Sequence, residues 1–275
     1  MPEASLRARG DLRQQIFASL NGKRFAAELI AGQSGILSGV QAAEAQASSL
    51  GLQVDWRLGE GSELLPGATI LRLSGLAMQI TQGEERLLGC LCKASGIATA
   101  AAQAARLADS RVRVVCGAWK KMPPELKGYV RQAVETGGLP TRILDEPFVY
   151  LDKNYVRLLG GISQTLAAVC GLPGVKVIQV RGYNGQPVAG ETLQACRAGA
   201  GVVMVDTGRI EDALAALDAT KAYPLVKVAF AGGVQIEDIP RLAGLGVQIL
   251  DIGAAIIDAP LLEIRLEVIE NQHGI

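Results

Sequence analysis

At 275 residues, with 49% apolar and 20% charged side chains, the chain can build a sizeable core and is excluded from the disordered class. Twenty-seven basic residues balance 27 acidic ones, so general attraction to nucleic acid is excluded and any anion site must be a local cluster. No apolar run reaches the ~18 residues of a membrane span, and MPEASLRARGDLRQQ lacks the apolar stretch of a signal peptide.

Five cysteines, odd in number and set in apolar segments, point with the missing signal to a reduced, cytoplasmic setting. Cys90 and Cys92 are two apart on a predicted helix and face different sides, so they read as packing residues and not as metal ligands.

In chain order, residues 1–95 read as a mixed α+β domain. FAAELIAGQSGILSGVQAAEAQASSLGLQVDWRL holds a strand, a turn and an Ala-rich helix, and LPGATILRLSGLAMQI carries two short strand signals separated by Ser74-Gly75. ERLLGCLCKASGIATAAAQAARLADS is a long helix with a candidate break at Ser95-Gly96. Over residues 96–258 the pattern becomes an alternation. VRVVCGAW, FVYL, VKVIQV, GVVMVD, LVKVAFAGG and VQILDIGAAI are short apolar strands, and all but the last are followed by an amphipathic helix. That predicts a parallel sheet covered by helices, and a doubly wound sheet and an α/β barrel both satisfy it. The last stretch, residues 259–275 with PLLEIRLEVIENQHGI, reads as a C-terminal helix packing on the first domain.

In parallel α/β folds, reactive groups collect where the strands end, because the loops there face one cleft. Those ends carry Cys116 to Lys121, Asp152-Lys153-Asn154, Gln179 and Arg181, Asp206-Thr207, Gly232-Gly233 and Gly253. Period-2 geometry puts Gln179 and Arg181 on one face of their strand. Bases and amides around an acid suit an anionic substrate and a divalent cation. Glycines at Gly232-Gly233 and Gly253 let backbone N–H groups approach a phosphate. One polar strand end alone is ordinarily a turn. Six on the same side of the strands make a site.

SGILSGV (34–40), GSELLPGATILRLSG (61–75), ER…ASGIAT (85–99), AGAGVVMVD (198–206), AGGVQIEDI (231–239) and DIGAAI (251–256) resemble, in order and spacing, segments of the quinolinate phosphoribosyltransferase family. The resemblance implies an N-terminal α/β sandwich domain followed by an incomplete α/β barrel of six or seven strands. It also implies a homodimer or higher homo-oligomer in which one subunit's N-terminal domain covers the other's barrel mouth. The implied reaction joins a pyridine carboxylate to phosphoribosyl pyrophosphate with Mg²⁺, then decarboxylates the product.

Carried over position by position, the resemblance assigns Lys121, Lys153 and Asp206 to catalysis, Asp206 also to the metal. It assigns Lys120, Arg142, Asp152, Asn154, Gln179, Arg181 and Glu85 with Arg86 to the substrate, and Gly232, Gly233, Gly253 and Ala254 to phosphate. Several family charges are changed. Two lysines follow Trp119 where the family has Arg-Lys, Thr141 stands for a His, Gln179 for a Glu, and charge signs are exchanged at Glu85, Asp152 and Arg181. Hence a second expectation, a divergent paralogue whose rewired pocket acts on or binds another phosphorylated or anionic small molecule.

Overall fold

The computed structural model describes residues 11–269. The chain divides into two compact units, Met1–Thr99 joined by Pro260–Ile275, and Ala100–Ala259.

The first unit begins with α1 (Leu12–Ile16), whose cap Asp11 accepts the Arg13 N–H at 3.0 Å. There follow β1 (Arg24–Ala31), β2 (Gly35–Ile36), α2 (Val40–Ser49), β3 (Gln53–Arg57), β4 (Glu63–Leu64), β5 (Thr69–Leu76) and α3 (Ala77–Ala108). In β1 the alternate residues Ala27, Leu29 and Ala31 are buried, the half-buried pattern expected of an antiparallel strand. They share one core with Ile70, Leu71 and Leu73 of β5 and with Ile80, Leu87 and Leu91 of α3.

Three expectations are corrected here. Ser74-Gly75 does not separate two strands but lies inside β5, paired with Ala26 and Phe25 of β1. Ser95-Gly96 does not break α3, which is continuous. Gly96 is there for packing, since a Cβ would lie 2.0 Å from the Pro260 carbonyl oxygen. The tail is no helix: Ile264–Ile269 forms a strand, β12, antiparallel to β1, giving the sheet order β12-β1-β5-β3. Its period-2 run of Ile264, Leu266 and Val268 with charges between them obeys strand geometry. Residues 270–275 of the predicted helix lie outside the described residues. Although α3 is long and apolar enough to cross a bilayer, 56% of its most apolar stretch is buried in the protein, as in a core helix.

The second unit alternates β6 (Arg113–Val115), α4 (Pro124–Thr136), β7 (Phe148–Leu151), α5 (Lys153–Leu158), α6 (Ile162–Ala168), β8 (Val175–Val180) and α7 (Val188–Arg197). It continues with β9 (Val202–Asp206), α8 (Ile210–Thr220), β10 (Lys227–Ala231), α9 (Ile239–Gly244), β11 (Ile249–Asp251) and α10 (Ala254–Ile257). The strands are parallel in the order β6-β11-β10-β9-β8-β7. The order advances one way from β7 to β11 with no switch point, which rejects the doubly wound alternative. With β6 and β7 both at edges, the sheet is a six-stranded incomplete barrel. Val177, Val202, Met204, Ala229 and Ile249 fill its interior.

Candidate active site

The interior residues fix what stands at the barrel mouth. Two positions beyond Val177 is Gln179, then Arg181. Two beyond Met204 is Asp206, two beyond Ile249 is Asp251, and two beyond Tyr150 is Asp152. All five line one cleft of about 500 Å³ at the C-terminal ends of the strands. Lys120, Lys121 and Lys153 line it from the loops, and so do Gly232, Gly233, Gly253 and Ala254. The structure thus brings together most of the sequence-predicted set.

Asp206 is the hub. Its Oδ2 accepts from Gln179 Nε2 and lies 3.3 Å from Arg181 Nη1. Gln179 is only 6% exposed, and its Oε1 accepts the Lys153 N–H at 2.6 Å, so its amide is satisfied on both sides. The turn after β8 is held from behind by buried Glu191, which accepts the N–H groups of Arg181 and Gly182 at 2.9 Å each, and that of Tyr183.

Asp152 has a structural task as well. It caps α5, its Oδ1 accepting the N–H of Asn154 at 2.7 Å and of Tyr155 at 3.3 Å. Its acid therefore offsets the positive end of a short helix while facing the cleft. Asn154 is exposed and does not line the cleft. Glu85 and Arg86 sit on α3 in the first unit, where Glu85 pairs with Arg13 at 2.5 Å. All three exchanged charges have local partners: Glu85 with Arg13, Asp152 with a helix end, Arg181 with Asp206.

Asp251 and Tyr150 were missed by the sequence reading, although extending the period-2 argument to β11 and β7 finds them. Asp251 Oδ1 accepts the Gly117 N–H at 2.9 Å. Burial raises its carboxyl above the usual aspartate value, against the pull of that N–H and of Lys120 and Lys121. Tyr150 has Lys120 Nζ 5.5 Å above its ring, and burial with the nearby aspartates raises its hydroxyl pKa.

The glycine wall is built by close backbone approach. A Cβ on Gly232 would lie 2.5 Å from the Gly208 nitrogen, and Gly232 and Gly233 hold φ of +105° and +91°. Beyond Gly233 a Cβ would meet nothing within 4 Å, so that backbone is open to a ligand.

A second chamber of about 360 Å³ adjoins the cleft through Lys120, Tyr150 and Asp251 and is lined by Trp119, Phe148, Arg131 and Arg142. Arg131 stacks on Trp119 at 4.9 Å and Arg142 on Phe148 at 5.2 Å. Trp119 Nε1 donates to the Thr141 carbonyl at 3.1 Å, fixing the indole. Arg142 was expected from the sequence, whereas Arg131, on α4, carried no motif to mark it.

The family model described as the quinolinate phosphoribosyl transferase C-terminal domain matches residues 97–267, and the corresponding N-terminal domain model matches residues 11–95. The chain belongs to the quinolinate phosphoribosyltransferase family. It is 29% identical over 249 residues to the nicotinate-nucleotide pyrophosphorylase [carboxylating] of Rattus norvegicus, covering 88% of this chain and 81% of that one. Against the Homo sapiens protein of the same name it is 28% identical over 251 residues, covering 90% and 83%. The solved nicotinate-nucleotide pyrophosphorylase from Francisella tularensis superposes with a TM-score of 0.78 at 22% identity, over 95% of this chain and 91% of that one. The one from Ehrlichia chaffeensis gives 0.79 at 17% identity, over 94% and 93%. These likenesses establish the two-domain phosphoribosyltransferase fold.

Proposed function

We propose that the protein joins a pyridine carboxylate of the quinolinate type to phosphoribosyl pyrophosphate, as in NAD biosynthesis. One observation carries this reading. A single cleft gathers Lys120, Lys121, Lys153 and Arg181 with Asp206 and the glycines Gly232, Gly233 and Gly253.

In this reaction the pyridine nitrogen bonds to C1 of the ribose as the C1–oxygen bond breaks and pyrophosphate leaves with the electron pair. The carboxylate beside the nitrogen then departs as CO₂, and its electron pair takes up a proton. Little acid–base catalysis is needed, so the work is electrostatic. The three lysines face the charge that grows on the leaving pyrophosphate. Asp206, fixed by Gln179 and Arg181, holds negative charge where the ribose becomes cationic. The Gly232-Gly233 backbone cradles the sugar phosphate. The pyridine ring enters the chamber of Trp119, Phe148 and Tyr150, with Arg131 and Arg142 as carboxylate partners.

Mg²⁺ fits as an ion carried in on the pyrophosphate. Among the described residues no three metal-ligating side chains gather, and Asp206 Oδ2 is engaged by Arg181 and Gln179. A carboxylate or two plus substrate phosphates is how proteins commonly hold this ion. Asp206 would hold the ion, which would neutralise charge on the leaving group. As in the family pattern, we propose a homodimer in which Glu85 and Arg86 reach the partner's cleft. None of the five cysteines is in a disulfide, which accords with a reducing cytoplasm.

The test is a transfer assay with quinolinate and nicotinate as acceptors, with and without Mg²⁺. Quinolinate turnover that requires both phosphoribosyl pyrophosphate and Mg²⁺ is expected, lowered at least about a hundredfold by Asp206→Asn. Phosphoribosyl pyrophosphate binding without turnover of either acceptor sinks the reading.

A further inference from the structure

Beside the cleft a second cavity, of about 430 Å³, lies between the segment 153–161 and the turn 181–183. Lys153, Arg157, Arg181 and Tyr183 line it, and every other lining residue is glycine or valine. None is acidic, whereas the reaction cleft carries Asp152, Asp206 and Asp251. Lys153 and Arg157 on one side, with Arg181 (already paired with Asp206) on the other, give the cavity a positive lining that an anion would neutralise.

Tyr183 supplies the second observation. Its hydroxyl oxygen is enclosed and has no hydrogen-bond partner, which is rare for a buried polar atom. Burial, with Glu191 adding to it, pushes the hydroxyl up to about 12, so it keeps its proton and can donate. The turn that carries it is already fixed by Glu191, so no ligand is needed to shape it. Gly160 and Gly161, at φ of +88° and +136°, present backbone and no side chain to the cavity beside Lys153 and Arg157. Asp152 spends its carboxylate on the N–H groups of α5 and does not line this cavity.

We propose that this cavity is a second anion site, built for a phosphate-class oxyanion and joined to the reaction cleft through Lys153 and Arg181, which line both. Arg157 supplies a planar fork suited to two phosphate oxygens and Lys153 a point charge, and the enclosed, unpartnered Tyr183 hydroxyl becomes a donor when its ring turns toward the anion. The occupant is either a phosphate arm of a ligand held in the cleft or a free anion beside it. The chemistry is shared, and the identity of the aromatic acceptor does not enter.

Calorimetric titration of the full-length protein with inorganic pyrophosphate tests the site, with and without saturating phosphoribosyl pyrophosphate. Arg157→Ala is expected to weaken binding about tenfold, the loss of a charge-assisted contact. Tyr183→Phe keeps the ring and is expected to weaken it about threefold, the loss of one neutral hydrogen bond. Pyrophosphate binding that persists beside phosphoribosyl pyrophosphate and falls in both variants makes a free anion the occupant. Displacement of pyrophosphate by phosphoribosyl pyrophosphate, whose own affinity then drops in Arg157→Ala, makes the substrate's phosphate arm the occupant. Affinities for both ligands within about twofold of the unmodified protein in both variants overturn the proposal. The readout is binding, so missing turnover with intact pyrophosphate binding counts against the transfer reaction and not against this site.

Discussion

Gln179 donates its side-chain amide to Asp206 on the neighbouring strand, and the same side chain accepts the Lys153 N–H at 2.6 Å. One buried amide thus ties the end of β8 to the end of β9 and to the first turn of α5. A carboxylate at this position could not donate to Asp206 and would add a like charge beside it, so the neutral amide fits the local chemistry.

Gln179→Leu should therefore injure both the fold and the site. It leaves the Lys153 N–H without its acceptor and Asp206 without its amide donor, a cost of about 1–3 kcal/mol. The expected result is a lower denaturation midpoint together with kcat/KM reduced at least about tenfold by misplacement of Asp206. A variant with full stability and full turnover would show that the Gln179 link is idle.

Asp152→Ala separates capping from substrate binding. Loss of the two contacts to Asn154 and Tyr155 is expected to cost about 1 kcal/mol, read by urea unfolding. The acceptor's affinity should stay within about threefold, because the carboxylate is already engaged with the helix end. A large gain in acceptor binding would instead mean that Asp152 repels the ligand, and would revive the rewired-pocket expectation.

The chain has two tryptophans, Trp56 and Trp119. In a Trp56→Phe background, emission reports on the aromatic chamber alone. Quinolinate should quench it saturably, and Arg131→Ala or Arg142→Ala should each raise the apparent Kd about tenfold, as expected for losing one charge-assisted contact. An unchanged Kd in both variants would place the pyridine ring elsewhere.

The second unit was more legible than the first, for a physical reason. Continuous apolar strands such as VVMV, buried on both faces, leave a strong signal, and the period-2 rule then carries Gln179 and Arg181 to the mouth. The tail Ile264–Ile269 was misread because charges two residues apart also occur on helices, and its strand identity depends on pairing with β1, far away in sequence. Gly96 was misread as a break because its reason, contact with Pro260, is a long-range one. Arg131 could not be found at all: on α4 it looks like any exposed helical arginine until Trp119 is seen beneath it. Asp251 was within reach, two residues past Ile249, but no polar neighbour drew attention to it.

Asp251 gives the pH prediction. Burial, the largest influence on it, raises its carboxyl above the ordinary value of 3.8. The folded chain therefore holds this proton to a higher pH than the unfolded chain does. Stability from this group is fully present below 3.8 and is lost as pH rises through the raised value, because the unfolded state then binds fewer protons. Above that range the fold carries a carboxylate whose desolvation the Gly117 N–H, Lys120 and Lys121 offset only in part. Asp251→Asn keeps an oxygen for the Gly117 N–H and removes the charge. The variant should be more stable than the unmodified protein at neutral pH, and the gain should vanish on acidification to about pH 3.5, where both states of the unmodified protein hold the proton. Urea midpoints at the two pH values decide it. If Asp251→Asn is the less stable protein at neutral pH, the lysines and the Gly117 N–H outweigh burial, and the direction assigned to Asp251 is wrong.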